Sequence, residues 1–550
     1  MPTSHSRALL NCPNWLFNFS PKQCNSRLLV ALAISALAVT PILVILSAVL
    51  HPEEALWVHL IETTLPELAL NTLLLSVGVA IGTGTLGTIL GWLTASCDFP
   101  GRRFFSTALL LPMAVPAYVF AFVFLGLMDF SGPVQGLMYA WFDIRPFDVR
   151  SPATVCFVMT LALYPYVYVM AKTGFRTQGQ RSLEAARILG CTPFTAFFKV
   201  ALPLCRPWIA TGILLVLMET LADFGAVSVF NFDTFTTAVY KAWYGFFSLQ
   251  TAAQLASILV VIALVLLTGE QHMRKKMRFT QTGNRATRIP LTGKKALWAS
   301  ILCTIVFILG FIAPAVQLLV WTFESFSIEF SSQYLEYIIN TLLLGITAAL
   351  VTTCGALVLA YVRRSNHSSV IQWIINSSTM GYALPGTVLA VGIFTPVAYL
   401  DNTYITFMQW ITGAKATPLL QGTVITLLTA YLIRFMAAAY GAVNSNMQRI
   451  TPSMDEASTL MNVTGWKMLI KVHLPQLHSG LLTAVLLVLI DVMKEMPITL
   501  MTRPFGWDTL AVKIYELTSE GEWERAALPA LVLVCAGLLP VFLINNKSDH

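Results

Sequence analysis

The sequence predicts an all-α integral membrane protein with about twelve transmembrane helices in two parallel six-helix repeats, and three observations carry that prediction. Apolar residues make up 56% of the 550 and charged ones only 11%, with a mean hydropathy of +0.71, a balance that excludes a string of soluble domains. Apolar runs near the ~20 residues needed to cross a bilayer as helix recur along the chain, whereas the short alternating segments of a membrane barrel do not. The third observation is a repeat. The polar stretch EAARILGCTPFTAFFKVALP, Glu184 to Pro203, returns as EASTLMNVTGWKMLIKVHLP, Glu456 to Pro475, displaced by 272 residues at both ends.

Hydropathy, with Gly, Pro and charge as punctuation, puts spans near 28–50, 70–95, 105–128, 153–171, 207–230, 250–268, 297–321, 338–362, 370–398, 418–442, 480–502 and 526–545. The first run is too long for a cleavable signal and has no small-residue cleavage site before His51, so it is expected to be retained. With the N-terminus inside, 25 of the 34 Lys and Arg fall in cytoplasmic segments, while 51–69 and 322–337 hold Glu and neither Lys nor Arg. The basic run His272 to Lys295 divides the chain. The expected organisation is a cytoplasmic arm at 1–27, a first permease-like half at 28–271, a linker at 272–296 and a second half at 297–550.

Other marks repeat at nearly the same displacement: Asn71-Thr72-Leu73 with Asn340-Thr341-Leu342, Leu111-Pro112 with Leu384-Pro385, and Asp223 with Glu495. Two copies with an even number of spans keep one orientation, so they are related by an axis along the membrane normal. A path on that axis is lined by both halves.

Each repeated loop reads as a helical knuckle. Glu184, Ala185 and Ala186 favour helix, Gly190 permits a sharp reversal, and a second short helix is expected to end at Leu202-Pro203. Ile188, Leu189, Phe194, Phe197 and Phe198 are expected to fill a groove on another protein. The second copy has Glu456, Ala457, Leu474 and Pro475 in place, but Ser458 for the second Ala and Asn462 for the Gly. Asn tolerates positive φ better than most residues, so the turn is expected to survive.

This pattern resembles the coupling loop of binding-protein-dependent ABC importer permeases, and DFPGRRFF, LYPYVYVM and above all METLADFG, Met218 to Gly225, resemble the fused two-half permeases of ferric-iron importers. The resemblance covers nearly the whole chain. It implies a type I-like permease fold in a bacterial inner membrane. It also implies two copies of a separate ATPase on the cytoplasmic loops and a periplasmic ferric-ion-binding protein outside. No G-x-x-x-x-G-K-[ST] occurs in the sequence, so ATP is expected to be bound by the partner. No catalytic residue, cofactor, permanent metal site or nucleic-acid contact is expected; lipid surrounds the spans.

Ionisable groups inside a span cost at least ~2.5 kcal/mol each at its centre and call for a reason. Glu219 and Asp223 share a helix face at i, i+4, as do Asp491 and Glu495. Carboxylates on the axis suit a hard trivalent cation. The competing expectation is structural pairing of Lys494 with Asp491 and of Arg434 with Glu495. Pro112, Pro116 and Pro385 are expected to kink their helices. The loops Asp129 to Arg150 and Arg503 to Arg525 are candidates for contact with a delivery protein, and Trp57, Trp298, Trp321 and Trp410 for interfacial anchors. Two rival functions share these features. One is an importer permease for another solute, such as a polyamine, thiamine or a phosphonate; the other is an ion-coupled secondary transporter. No H-E-x-x-H or clustered His/Asp recommends an intramembrane enzyme.

Overall fold

The computed structural model describes residues 26–548 apart from 51–53, 130–131, 143–147, 180–185, 187, 278–287, 367 and 414–415. Among these residues nine helices are long and apolar enough to span a membrane, and two further helix pairs, each sharply bent, are so when taken together. The 26-residue helix Trp523–Ser548 lies over the last expected span. The two segments expected as outer loops are largely helical, with Glu54–Thr63 in one and Ala313–Glu329 running into the other.

Four expected spans are broken rather than continuous, and the same chemistry breaks them in pairs. The third turns by 93° between Arg102–Ala114 and Ala117–Met128. Pro116 precedes the second piece, and Val115 is extended (φ −88°, ψ 120°), the conformation a following proline favours. In the ninth, Ser369–Ser378 and a 3-10 turn at Met380–Ala383 give way to Gly386–Thr412, again with an extended residue, Leu384, before Pro385. The equivalent of Leu384-Pro385 is therefore Val115-Pro116, at a displacement of 269, and not Leu111-Pro112. In the fifth and eleventh spans the helices end at Ala222 and Lys494, because Asp223 and Glu495 are extended. Short helices Gly225–Val229 and Pro497–Thr502 follow.

Without a hydrophobic force between helices in lipid, close packing depends on small residues. The second span lies against the fourth through Gly87 and Gly91, where an added Cβ would come within 2.8 Å of Val167 Cβ and 2.9 Å of Ala171 Cβ. The halves also exchange elements. The first span packs on the ninth, and the seventh on the third. Each of the two buried cores accordingly contains residues from both halves of the sequence. Trp321 belongs to this exchange. It is buried and stacks on Phe122 at 6.4 Å, so it is a core residue and not an interfacial anchor, whereas Trp298 and Trp410 are exposed. The linker is tied down as well: Ile289–Pro290 pairs in parallel with Cys97–Asp98.

The duplication extends to single hydrogen bonds. Asn71 donates to the Asp233 carbonyl at 3.1 Å and Asn340 to the Asp508 carbonyl at 3.3 Å. The Phe235 amide donates to Thr72 Oγ1 and the Leu510 amide to Thr341 Oγ1. These bonds hold two equivalent helices, Phe235–Tyr244 and Leu510–Ser519, at the end of the bundle away from the repeated loops.

Candidate functional site

The repeated loops form matched turns. Gly190 has φ +82° and Asn462 φ +58°, so asparagine does take the left-handed conformation. The Cys191 amide donates to the Ala186 carbonyl at 3.0 Å, and the Val463 amide to the Ser458 carbonyl at 2.9 Å, the same closure 272 residues on. Glu184, Ala185 and Arg187 lie outside the described residues. Glu456 and Ala457 lie on the helix Pro452–Leu460.

What the turns present is apolar. Ile188 and Leu189 are 86% and 83% exposed, and their equivalents Leu460 and Met461 are 89% and 78% exposed. Phe198 and its counterpart Ile470 are also exposed. Phe197, expected in the same surface, instead turns inward against Trp92 and Phe175 at centroid distances of 5.0 and 6.2 Å. Phe197 is half-buried there, and its equivalent Leu469 is buried.

Leu202-Pro203 does not end a helix. It opens Leu202–Ala222 directly after a π-helical turn at Phe197–Ala201, and Ala201 stays helical at φ −67°, ψ −50°. Pro203, which has no N–H to give, therefore sits inside a helix that runs Phe197–Ala222, directly after that wider turn. Leu474-Pro475 likewise follows a π-helical turn at Leu469–His473, but there the chain bends by 81° at Leu477 before His478–Lys494.

Sequence reasoning missed how the second loop is anchored. Asp455 bridges Arg364 Nε at 2.7 Å and His473 Nε2 at 2.8 Å, with His473 wholly buried. Arg364 also donates to the carbonyls of Met447 and Ile450, each at 3.0 Å. Tyr361 donates to the Gly465 carbonyl at 2.8 Å. A charged pair, Asp455 with Arg364, separated by 91 residues carries no periodic signal; only the fold brings it together.

The four membrane acids surround one cavity of about 450 Å³ between the halves. Glu219 Oε1 accepts from the Tyr382 hydroxyl at 3.0 Å. Asp223 Oδ1 accepts from the amides of Ala226 and Val227 at 2.9 and 3.2 Å, capping the short helix after the break. Glu495 Oε1 accepts from the Ile498 amide at 3.4 Å in the same way. Arg434 Nε stands 4.0 Å from Glu495 Oε2, both nearly buried. Lys494 donates to the Met113 carbonyl at 3.2 Å. Among the described residues no ion pair within 4.0 Å joins it to Asp491. With Arg434 and Lys494 the only Lys or Arg among the cavity's lining residues, its four carboxylates exceed its cations by two. Tyr118 and Tyr166 complete the wall. Their rings were invisible to a search for charges, although the sequence places both in the LLLPMAVPAYVFAF and LYPYVYVM stretches.

A membrane bundle with an acid-bearing, otherwise largely apolar cavity between its halves, and with paired apolar knuckles on its repeated loops, has the layout of a transport subunit. The profile of the family described as "Binding-protein-dependent transport system inner membrane component" matches residues 87–269. The chain is 27% identical over 498 residues to an Fe(3+)-transport system permease protein of Haemophilus influenzae, covering 89% of this chain and 91% of that protein. It is 30% identical over 188 residues to a molybdenum transport system permease protein of Escherichia coli, covering 32% of this chain and 80% of that protein. An alginate-importing bacterial ABC transporter of known crystal structure superimposes on 46% of the chain and 94% of its own, at 18% identity and a TM-score of 0.37. The chain belongs to the family of binding-protein-dependent transport system inner-membrane components. It is a multi-pass permease subunit of an ABC importer, with two permease halves fused in one polypeptide.

Proposed function

We propose that this permease imports ferric iron, and that ATP hydrolysis by a separate partner drives alternating access of the central cavity. The observation that carries the substrate assignment is the excess of carboxylates around that cavity. Carboxylate oxygens suit a hard cation, and the same surplus repels anions such as sulfate, the cargo named for a permease similar to 28% of this chain. The full-length similarity to an Fe(3+)-transport permease supports the same cargo.

In this reading the exposed pairs Ile188-Leu189 and Leu460-Met461 each enter a groove on one of two ATPase copies. The N-terminus and both knuckles are cytoplasmic, in keeping with the basic residues on those segments. A periplasmic ferric-binding protein docks at the opposite end, where Glu520, Glu522 and Glu524 are exposed. Arg503 is already occupied there, bridging Asp508 at 3.0 Å and Glu516 at 2.9 Å. Closing the ATPase pair would move the knuckles as rigid bodies and tilt the halves about the cavity.

The test is Asp223→Asn combined with Glu495→Gln, which keeps a capping acceptor at each helix break and removes the charge. ATP-driven uptake of radiolabelled ferric ion is expected to fall at least ~10-fold at unchanged protein level. Unchanged uptake, or equal loss of uptake for a neutral solute, would sink the assignment.

A further inference from the structure

A second, polar cavity of about 530 Å³ lies between the helices Phe235–Tyr244 and Leu510–Ser519, lined in part by Asn231, Asp233, Lys241 and Glu520. Its chain position puts it at the end of the bundle opposite the knuckles. Phe224 is the one residue that lines both this cavity and the acid-lined one.

What stands between them is aromatic. Phe224 is 1% exposed, and its ring packs on Tyr240 at 5.1 Å and on Tyr515 at 5.6 Å. The two tyrosines meet edge to face at 6.5 Å. Tyr240 and Tyr515 are equivalent residues of the two halves, each the sixth of its helix. They therefore meet on the pseudo-two-fold axis. The equivalent of Phe224 is Met496, also 1% exposed, and its Cε would lie 2.8 Å from a Cβ added to Gly225. The same Cβ would lie 2.7 Å from Tyr118 Cβ, which unlike the flexible end of Met496 cannot give way, so glycine is needed there.

We infer that Phe224, with Tyr240 and Tyr515, is the outer gate of the permease, separating an entry vestibule from the acid-lined cavity. The mechanical logic lies in the backbone. Phe224 follows Asp223 in the unwound break of the fifth span, and a break can rotate without dismantling a helix. One tyrosine comes from each half, so a tilt of the halves draws the aromatic contacts apart. The polar wall of the vestibule receives a hydrated or chelated cation, and the apolar plug denies it passage until the halves move. This rests on the proposed transport path only for the direction of flow.

The experiment reads access and not cargo. In the full transporter with its nine native cysteines replaced, Ala162→Cys places a thiol in the wall of the acid cavity. With the gate intact, a membrane-impermeant thiol reagent added from outside should leave it unmodified. Adding Phe224→Ala or Tyr515→Ala should make modification about ten-fold faster, whereas Phe224→Leu should keep it slow. Rapid modification with the gate intact, or none in either alanine variant at normal protein level, overturns the gate. A second measurement covers the case in which the alanine variants do not fold. Tyr240→Cys with Tyr515→Cys should cross-link with a short bifunctional reagent and lose uptake about ten-fold, and reductive cleavage should restore it. Full uptake by the cross-linked protein also overturns the gate. Since modification does not involve iron, failure of the acid substitutions to affect uptake would leave the gate result standing on its own.

Discussion

The two knuckles have the same turn, the same exposed apolar pair and the same π-helical turn before proline, yet they are built into the bundle differently. The first is seated on rings, with Phe197 against Trp92 and Phe175, and its helix runs unbroken from Phe197 to Ala222. The second is seated on charges, through Asp455, Arg364 and His473, and its helix bends by 81° before crossing. What faces outward is preserved in chemistry and in exposure, while what faces inward has been rebuilt. A surface matched in this way is what docking two copies of one partner requires. The inner anchors need only hold each surface in place, and aromatic packing or an ion network does so equally well. The uninterrupted helix makes the first knuckle a stiff lever on the cavity. The bend at Leu477 gives the second a joint.

Substitutions at the tips are expected to affect the two knuckles alike, and those at the anchors and the turns to separate them. The largest effect is expected at the tips. Ile188→Asp with Leu189→Asp, or Leu460→Asp with Met461→Asp, should each lower ATP-driven uptake more than ~10-fold, since charge in an apolar groove is left unpaired. Both pairs are exposed, so protein level should hold, and co-purification of the ATPase should drop in step. If either double substitution leaves uptake intact, the knuckles are not equivalent docking surfaces.

The anchors come next. Phe175→Ala removes a fully buried ring and should cost about 3–5 kcal/mol, read as a loss of thermal stability in detergent. Asp455→Ala should cost less, about 1–3 kcal/mol, chiefly for the buried His473 nitrogen it leaves unpaired. Its side chain is 30% exposed, and Arg364 keeps its carbonyl acceptors. The reverse ranking would show that the ion network is the stronger anchor.

The turns themselves give the smallest effect. A Cβ at Gly190 would meet nothing within 4 Å, so Gly190→Ala costs only the left-handed backbone, about 1–2 kcal/mol. Asn462→Ala should cost about 1 kcal/mol or less, because asparagine already bears much of that strain, and Asn462→Gly should relieve it. Midpoints of thermal unfolding measured on the separate variants test the order. A more damaging Asn462→Ala would reverse it.

Much of this was legible in the chain. The repeat at 272 residues located both knuckles, and Asn462 was readable as a turn because few other residues accept positive φ. The four acids were readable because burying charge in a span demands a reason. Other features were not. Pro116 and Pro385 break their spans outright, which local pattern cannot separate from a kink. The repeat was also misaligned by one turn there, since Leu-Pro occurs at 111 as well as at 384. Phe197 and Phe198 are adjacent aromatics, yet one packs inward and the other is exposed, because neighbouring helical side chains point ~100° apart and only the packing decides which of them faces the bundle.

By itself the sequence determined that the chain crosses a membrane, that it does so as a duplicated bundle, and which residues carry the repeated surface. Hydropathy, charge bias and displacement are properties of the chain, read without knowing where any span lies in space. Only the tertiary structure decided that each core draws on both halves, that Arg364 holds Asp455, and that Tyr240 meets Tyr515 over Phe224. Contacts between residues hundreds of positions apart are fixed by helix packing on the pseudo-two-fold axis, and no local periodicity encodes that axis.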